Sequence, residues 1–284
     1  NLATVGKEFN NYNTYSKEIT LDIININSIL EDSRGLLWLG SFDLGINVID
    51  PATNERITYF HDPDDPYSLG YGSVYCIFED SRQQIWVGTY LGYLQRFDRS
   101  TGSFISYPFR VEGGDREEGL DIRSIHEDRE GIFWIIPHSN GMTRFDPRTG
   151  DLRHYLRNDS NLAGSLADNW AFQLIEDHLG YLWIATPSGL SRFNKETETF
   201  RNFYHYESEP QSLCNNYINV LFEDSNHLLW IGTKFGLSLY IPEEEHFVNF
   251  YQSSGLPSNQ IKAILEHEPG ELWISTSHGL SKMK

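Results

Sequence analysis

A tryptophan recurs along the chain at nearly constant spacing, each time seven residues after a glutamate. Consecutive tryptophans of this series are 48, 48, 49, 47 and 43 residues apart. Of the seven tryptophans, Trp170 alone stands outside the series. A period of this length over the whole chain is typical of an array of similar structural units, so most residues that look like motifs belong to a repeated scaffold. The six pairs are Glu31/Trp38, Glu79/Trp86, Glu127/Trp134, Glu176/Trp183, Glu223/Trp230 and Glu266/Trp273.

Each repeat contains four short runs of β-branched, aromatic and leucine residues, separated by Gly, Asp, Ser and Pro. Such runs predict β-strands joined by tight turns, and no window shows a helical period over enough residues to compete. Four antiparallel strands per repeat describe one blade of a β-propeller. The sequence therefore predicts an all-β fold, a β-propeller of four-stranded antiparallel blades, with six blades and seven as the alternative. The predicted strands of the first repeat are about 25–31, 36–40, 45–49 and 56–60.

The unbroken repeat predicts a single domain over residues 1–284. Residues 7–12 resemble a fourth strand, whereas the last repeat has no fourth strand of its own. We therefore expect residues 7–12 to complete the last blade, which would remove exposed sheet edges. The repeats lie at about 21–60, 72–107, 120–155, 169–203, 216–250 and 260–284.

The charge of the chain excludes some classes of partner. The net charge is −18, from 40 acidic and 22 basic residues. Nucleic acid and anionic membranes are poor partners for such a protein, so we expect no nucleic-acid binding and no direct membrane contact. Cys76 and Cys214 fall in repeats that would lie across the ring from each other, so no disulfide is expected.

Several segments resemble the two-component regulator propeller repeat. They include Glu-Asp-Ser-Arg-Gly-Leu-Leu-Trp-Leu-Gly at 31–40, Gly-Leu-Ser-Arg-Phe-Asn at 189–194, and the related segments 175–186 and 221–233. The resemblance implies the periplasmic sensor region of a Bacteroides-type hybrid two-component histidine kinase. Such regions are non-catalytic, need no cofactor, detect oligosaccharides and act with further domains of a membrane-anchored kinase.

One face of a propeller carries the loops between blades and the turns between second and third strands. Positions on that face that differ between repeats are better candidates for ligand binding than positions that recur. Aromatic faces, amides and cations are the groups that a sugar, or an acidic sugar, requires. The candidate ligand-binding residues are Asn27, Tyr75, Arg123, Trp170, Phe172, Tyr217, Asn219, Lys262, Tyr90, His138, Lys234 and His278.

Two other functions stay open at this stage. A propeller-type polysaccharide lyase or glycoside hydrolase could be assembled from His138, Tyr75 and Arg123, and a protein-interaction platform would use the same face. The repeated Glu-Asp pairs are interpreted as turn residues, and the chain has no nucleophile elbow, phosphate-binding loop or zinc signature. The acidic segment 61–65 lacks the spacing of a calcium loop. We therefore predict no catalytic residues, no metal site and no cofactor.

Overall fold

A computed structural model describes residues 25–107 and 121–283 and divides the chain into two units, Asn1–Tyr107 and Pro108–Lys284. The described residues form 23 strands and three single-turn 3-10 helices, Tyr90–Gly92, Leu162–Gly164 and Gln252–Ser254. The strands assemble into five four-stranded sheets and one three-stranded sheet. All pairs within the sheets are antiparallel, and consecutive strands are neighbours. Across the described ranges, no helix has the length and apolar character that crossing a membrane requires.

The first unit contains two sheets, and the strands of the first sheet match the runs predicted for the first repeat to within about one residue. In the order of the chain, the first sheet is β1 (Ile26–Glu31), β2 (Leu37–Ser41), β3 (Ile46–Ile49) and β4 (Arg56–Tyr59), and the second is β5 (Val74–Glu79), β6 (Ile85–Thr89), β7 (Leu94–Asp98) and β8 (Ser103–Tyr107).

The second unit contains the other four sheets, so the predicted all-β class and the predicted number of repeats are confirmed. Numbered in the order of the chain, the third sheet is β9 (Ile122–Glu127), β10 (Phe133–Pro137), β11 (Met142–Phe145) and β12 (Leu152–Tyr155). The fourth is β13 (Gln173–Glu176), β14 (Leu182–Thr186), β15 (Gly189–Asn194) and β16 (Thr199–Phe203). The fifth is β17 (Ile218–Glu223), β18 (Leu229–Thr233), β19 (Gly236–Ile241) and β20 (His246–Phe250), and the sixth is β21 (Ile261–Glu268), β22 (Glu271–Thr276) and β23 (Gly279–Met283). The strand expected at residues 7–12 lies outside the described residues.

The recurring tryptophan and the recurring aspartate are bonded to each other. In five sheets the indole Nε1 donates a hydrogen bond to Oδ2 of the aspartate six residues earlier. The other carboxylate oxygen accepts two backbone N–H groups of the turn, as Asp128 Oδ1 does from Glu130 at 2.9 Å and Ile132 at 3.0 Å. A buried carboxylate and a buried indole thus satisfy each other, which explains why the two residue types recur together. The indole–carboxylate distances are 2.9 Å for Trp38–Asp32, 2.9 Å for Trp86–Asp80, 2.8 Å for Trp134–Asp128, 2.7 Å for Trp183–Asp177 and 2.9 Å for Trp230–Asp224.

The tryptophans also pack one sheet onto the next. Within the second unit, the Trp183 ring meets Tyr240 of the fifth sheet edge-on at 4.9 Å, and Trp134 meets Phe193 of the fourth sheet at 5.4 Å. The Trp183 side chain is only 1% exposed. Large aromatic area is therefore packed between adjacent sheets.

A basic residue joins the turn aspartate of one sheet to the glutamate of the next. Lys195 Nζ lies 3.1 Å from Asp128 Oδ2 and 2.8 Å from Glu176 Oε1. In the first unit, Arg99 Nη2 lies 2.9 Å from Asp32 Oδ2 and 3.3 Å from Glu79 Oε1. The Glu-Asp pairs therefore act in the scaffold, as the turn interpretation required.

These contacts lower the pKa of two of the turn carboxylates, Asp128 and Asp32. Burial acts to raise the pKa of Asp128, but hydrogen bonds from Trp134, Ile132 and Lys195 outweigh it, and the pKa lies below its ordinary value. The pKa of Asp32 is lowered in the same way, by Trp38, Leu36 and Arg99 against burial. A carboxylate with a lowered native pKa adds stability above its unfolded pKa of about 4, and that stability is lost as the pH falls through the native pKa.

We therefore expect the melting temperature to fall on acidification below about pH 4. The Asp128→Asn variant is the control, because its amide does not titrate. The difference in unfolding free energy between wild type and this variant should shrink as the pH falls, as measured by denaturant unfolding from neutral to acid pH. A difference that stays constant over that range would show that Asp128 does not contribute.

Candidate functional site

In five of the six sheets, the turn between the second and third strands is bonded to the residue that precedes the first strand. His138 N donates to Asp121 O at 2.9 Å, Lys234 N to Tyr217 O at 2.9 Å, and Ser277 N to Gln260 O at 3.0 Å. The two groups of positions that the sequence placed on one face are therefore neighbours within these five sheets.

Five of the candidate residues form a continuous row across the third, fourth and fifth sheets. The His138 ring meets Trp170 edge-on at 5.3 Å, Trp170 lies 6.3 Å from Phe172, and Phe172 lies 5.3 Å from Tyr217. Lys234 Nζ then lies 5.2 Å from the centre of the Tyr217 ring. We call these five residues the aromatic row. Trp170 is 47% exposed and Tyr217 36% exposed, so the row presents apolar faces to solvent.

Local turns hold the two most exposed rings of the row in place. Trp170 N donates to Asp168 Oδ1 at 2.9 Å, and Tyr217 N donates to Asn215 Oδ1 at 3.0 Å. An Asp or Asn side chain that bonds the backbone two residues later is a common turn-forming arrangement. Asp168 also accepts a short hydrogen bond from Ser188 in the next turn of the same sheet. The two rings are therefore positioned by the backbone and by polar anchors, before any ligand is considered.

The other candidates of the second unit lie beside the first strands and their turns. Arg123 Nη2 lies 3.4 Å from Asp121 Oδ2, and the arginine side chain is 40% exposed. Lys262 is exposed on β21. His278 is exposed, and its Nδ1 lies 2.9 Å from Ser277 Oγ.

Two predicted amides serve the scaffold. Asn219 Nδ2 donates to Ile261 O of the next sheet at 2.8 Å, and Asn27 Nδ2 donates to Val74 O at 3.2 Å. Gln173 bridges in the same manner, with Nε2 donating to Leu221 O at 3.2 Å and Oε1 accepting from Leu221 N at 2.7 Å. These amide donors are therefore engaged by neighbouring first strands.

The first unit has aromatic contacts of its own. Tyr75 meets Phe42 edge-on at 6.4 Å, and Tyr90 lies 5.0 Å from Tyr71, which stacks with His61 at 5.8 Å. Tyr71 and His61 were not predicted as members of this group. Both lie in the long loop between β4 and β5, where positions cannot be aligned from one repeat to the next.

A cavity of about 600 Å³ lies beside the fourth strands of the fourth and fifth sheets and the loop that follows β16. Its lining includes Arg201, Tyr206 and Glu245. Glu245 is bonded to Arg192 at 2.9 Å and to Arg201 at 3.1 Å, so this carboxylate is already paired. No sequence signal pointed to this cavity, because β16 and β20 follow the same strand pattern as the other repeats.

Comparison with known proteins supports the interpretation of the repeats. The family model for the two-component regulator propeller matches residues 20–43, 68–91, 212–235 and 255–278. Each matched segment ends shortly after a strand that contains a tryptophan of the series. No curated protein matches the sequence.

Three solved structures share the fold. The extracellular domain of a putative hybrid two-component system from B. thetaiotaomicron is 20% identical with a TM-score of 0.69, over 96% of this chain and 36% of that chain. The extracellular domain of a putative one-component system from the same organism is 25% identical with a TM-score of 0.66, over 91% and 34%. A catalytically inactive virginiamycin B lyase from Staphylococcus aureus, solved with quinupristin, is 13% identical with a TM-score of 0.60, over 91% and 84%.

These likenesses establish the fold and leave the function open, because this fold carries both sensors and an enzyme. The present chain spans about one third of the length of the two sensor chains that it matches. The matched segments, the recurring Glu/Trp pairs and the shared fold together confirm the family resemblance: four segments of the chain are two-component regulator propeller repeats.

Proposed function

We propose that this chain is the non-catalytic ligand-binding propeller of an extracellular or periplasmic sensor, and that the aromatic row binds an oligosaccharide. The observation that carries the proposal is the exposed, continuous row from His138 to Lys234, which crosses three adjacent sheets of the second unit. Exposed aromatic groups of this extent mark interaction surfaces.

The chemistry of the row suits a sugar. The rings of Trp170 and Tyr217 offer flat apolar faces to the C–H surfaces of a pyranose, while the Tyr217 hydroxyl can bond its hydroxyl groups. Lys234 adds a cation that can meet a carboxylate or sulfate. Arg123 and Lys262 belong to the same proposal as flanking cations for an acidic sugar, and Tyr75, Tyr90 and His278 as further aromatic or polar contacts.

The solved relatives support the sensor role. The two B. thetaiotaomicron structures are extracellular domains of putative signalling systems, and the family model names the same class. Further domains of a membrane-anchored signalling protein are the proposed partners. A bound sugar would then act by favouring one arrangement of those domains, since a ligand shifts an equilibrium only through its differential affinity.

The test is a thermal-shift and calorimetric screen of this protein against neutral and acidic oligosaccharides. A sugar present at ten times its dissociation constant should stabilise the protein by about 1.4 kcal/mol. Tyr217→Ala should weaken binding of that sugar by roughly tenfold or more, because it removes the ring that joins Phe172 to Lys234. Tyr206→Ala is the matched control, since Tyr206 is also an exposed tyrosine but lines the cavity and is not part of the aromatic row.

The same experiment separates the alternatives. If Tyr206→Ala and not Tyr217→Ala abolishes binding, the cavity is the site. Chain shortening or unsaturated products after incubation with the bound sugar would favour the lyase or hydrolase. A complete panel without any shift would contradict the sugar proposal and favour a protein-interaction platform.

A further inference from the structure

Two histidines and a glutamate meet where the turns of the fourth and fifth sheets adjoin. His178 Nδ1 lies 2.6 Å from Glu223 Oε1, and His227 Nδ1 lies 4.0 Å from the same oxygen. The two imidazole rings are stacked with their centres 4.3 Å apart. The three potential ligand atoms all lie within 4.8 Å of one another. The cluster has no zinc signature in the sequence, because the two histidines are 49 residues apart.

In two of the other sheets, a basic residue stands at the equivalent place. The residue directly after the third strand is Arg99 in the second sheet and Lys195 in the fourth, and each joins two carboxylates. In the fifth sheet that residue is Pro242, which has no charge. This position therefore supplies no cation to the carboxylates of Asp177 and Glu223, although it supplies one in the second and fourth sheets.

The backbone around the cluster is held independently of any ligand. His178 N donates to Glu223 Oε1 at 3.0 Å. Arg129 of the third sheet donates to the carbonyl oxygens of His178 at 3.1 Å and Asp177 at 3.3 Å. The carboxylate and the turn that carries His178 are thus placed before a metal binds. The side chains of His178 and His227 are 36% and 61% exposed, so both rings can rotate.

From this arrangement we propose that His178, Glu223 and His227 bind a divalent transition-metal ion, with Zn²⁺ as the representative ion, and that the ion ties the two turns together. Imidazole nitrogen and carboxylate oxygen are accepted ligands of Zn²⁺, and three protein ligands leave a fourth position for water. A tetrahedral ion with bonds of about 2.0–2.1 Å requires ligand atoms roughly 3.3 Å apart, which ring rotation of the two exposed histidines supplies. The ion would replace the charge that Arg99 and Lys195 provide elsewhere.

The proposed metal site is distinct from the aromatic row. Tyr217 precedes β17 and Glu223 ends it, so the length of a six-residue strand, on the order of 20 Å, separates them. The result of a metal-binding test therefore does not bear on the proposed sugar binding.

The test is isothermal titration of tag-free protein with ZnCl₂, together with melting curves in Zn²⁺ and in EDTA. We expect one ion per chain and a higher melting temperature in Zn²⁺. His178→Ala and His227→Asn should each weaken binding by roughly tenfold or more and remove the thermal shift. Asparagine is chosen at 227 because this residue has a φ of +65°, which asparagine tolerates and alanine does not.

His267→Ala is the matched control, since His267 is an exposed histidine near the end of β21 in the sixth sheet. It should bind Zn²⁺ as the wild type does, and circular dichroism should show that all variants are folded. Equal affinity in wild type and in both cluster variants would overturn the proposal, and so would an absence of binding at micromolar Zn²⁺.

Discussion

Replacing Asp128 by alanine should lower the unfolding free energy by about 3–5 kcal/mol, a change that corresponds to a fall in melting temperature on the order of 10 °C. Asp128 is 5% exposed, and its carboxylate accepts from the Trp134 indole, from two backbone N–H groups and from Lys195. Alanine leaves the indole and both N–H groups buried without acceptors. Each unsatisfied buried donor costs about 1–3 kcal/mol, so the sum is large even though Lys195 keeps Glu176.

The measurement is a melting curve supported by denaturant unfolding, with Asp151→Ala as the control. Asp151 is exposed in another turn of the same sheet, so its replacement should change the unfolding free energy by less than about 0.5 kcal/mol. A melting temperature for Asp128→Ala close to that of Asp151→Ala would show that the aspartate recurs for some reason other than the stability of the turn.

The strands could be predicted from the sequence because their signals are local. The predicted run 36–40 is β2 (Leu37–Ser41) and the predicted run 56–60 is β4 (Arg56–Tyr59). Turn signals were weaker in repeats without glycine, yet the turn persists there, because Gln83 and His227 adopt the left-handed φ of +62° and +65° that glycine adopts elsewhere. The packing of the rest of each repeat holds these two residues in a conformation that they disfavour alone.

The contacts of the candidate site depend on neighbouring sheets and could not be predicted in the same way. Trp170 stood out because it breaks the tryptophan register, and its neighbours in the row occupy positions on the predicted face that differ between repeats. The sequence could not show that Asn219 would turn toward Ile261 O, since this depends on the distance between two sheets. Nor could it bring together His178 and His227, whose contact requires two turns from adjacent repeats to meet.

The second large expected effect is the loss of unfolding free energy when Trp183, but not Trp170, is replaced by alanine. Trp183→Ala should cost about 3–5 kcal/mol of unfolding free energy, as is usual for removal of a fully buried tryptophan. The Trp183 ring stacks on Phe203 at 5.6 Å, meets Tyr240 at 4.9 Å and donates its indole N–H to Asp177 at 2.7 Å. Phe203 and Asp177 belong to the fourth sheet, as Trp183 does, and Tyr240 belongs to the fifth. Alanine would therefore leave a cavity and a carboxylate without its indole donor.

Trp170→Ala should change the unfolding free energy by less than about 1 kcal/mol, because the ring is 47% exposed and contacts the scaffold mainly through His138 and Phe172. It should instead weaken the binding of any sugar found in the screen by roughly tenfold or more. Denaturant unfolding and titration of both variants provide the comparison. The contrary result is that Trp170→Ala is as destabilising as Trp183→Ala and leaves the sugar affinity of the folded fraction unchanged. In that case Trp170 would be one more scaffold tryptophan, and the proposal that the aromatic row binds a sugar would be contradicted.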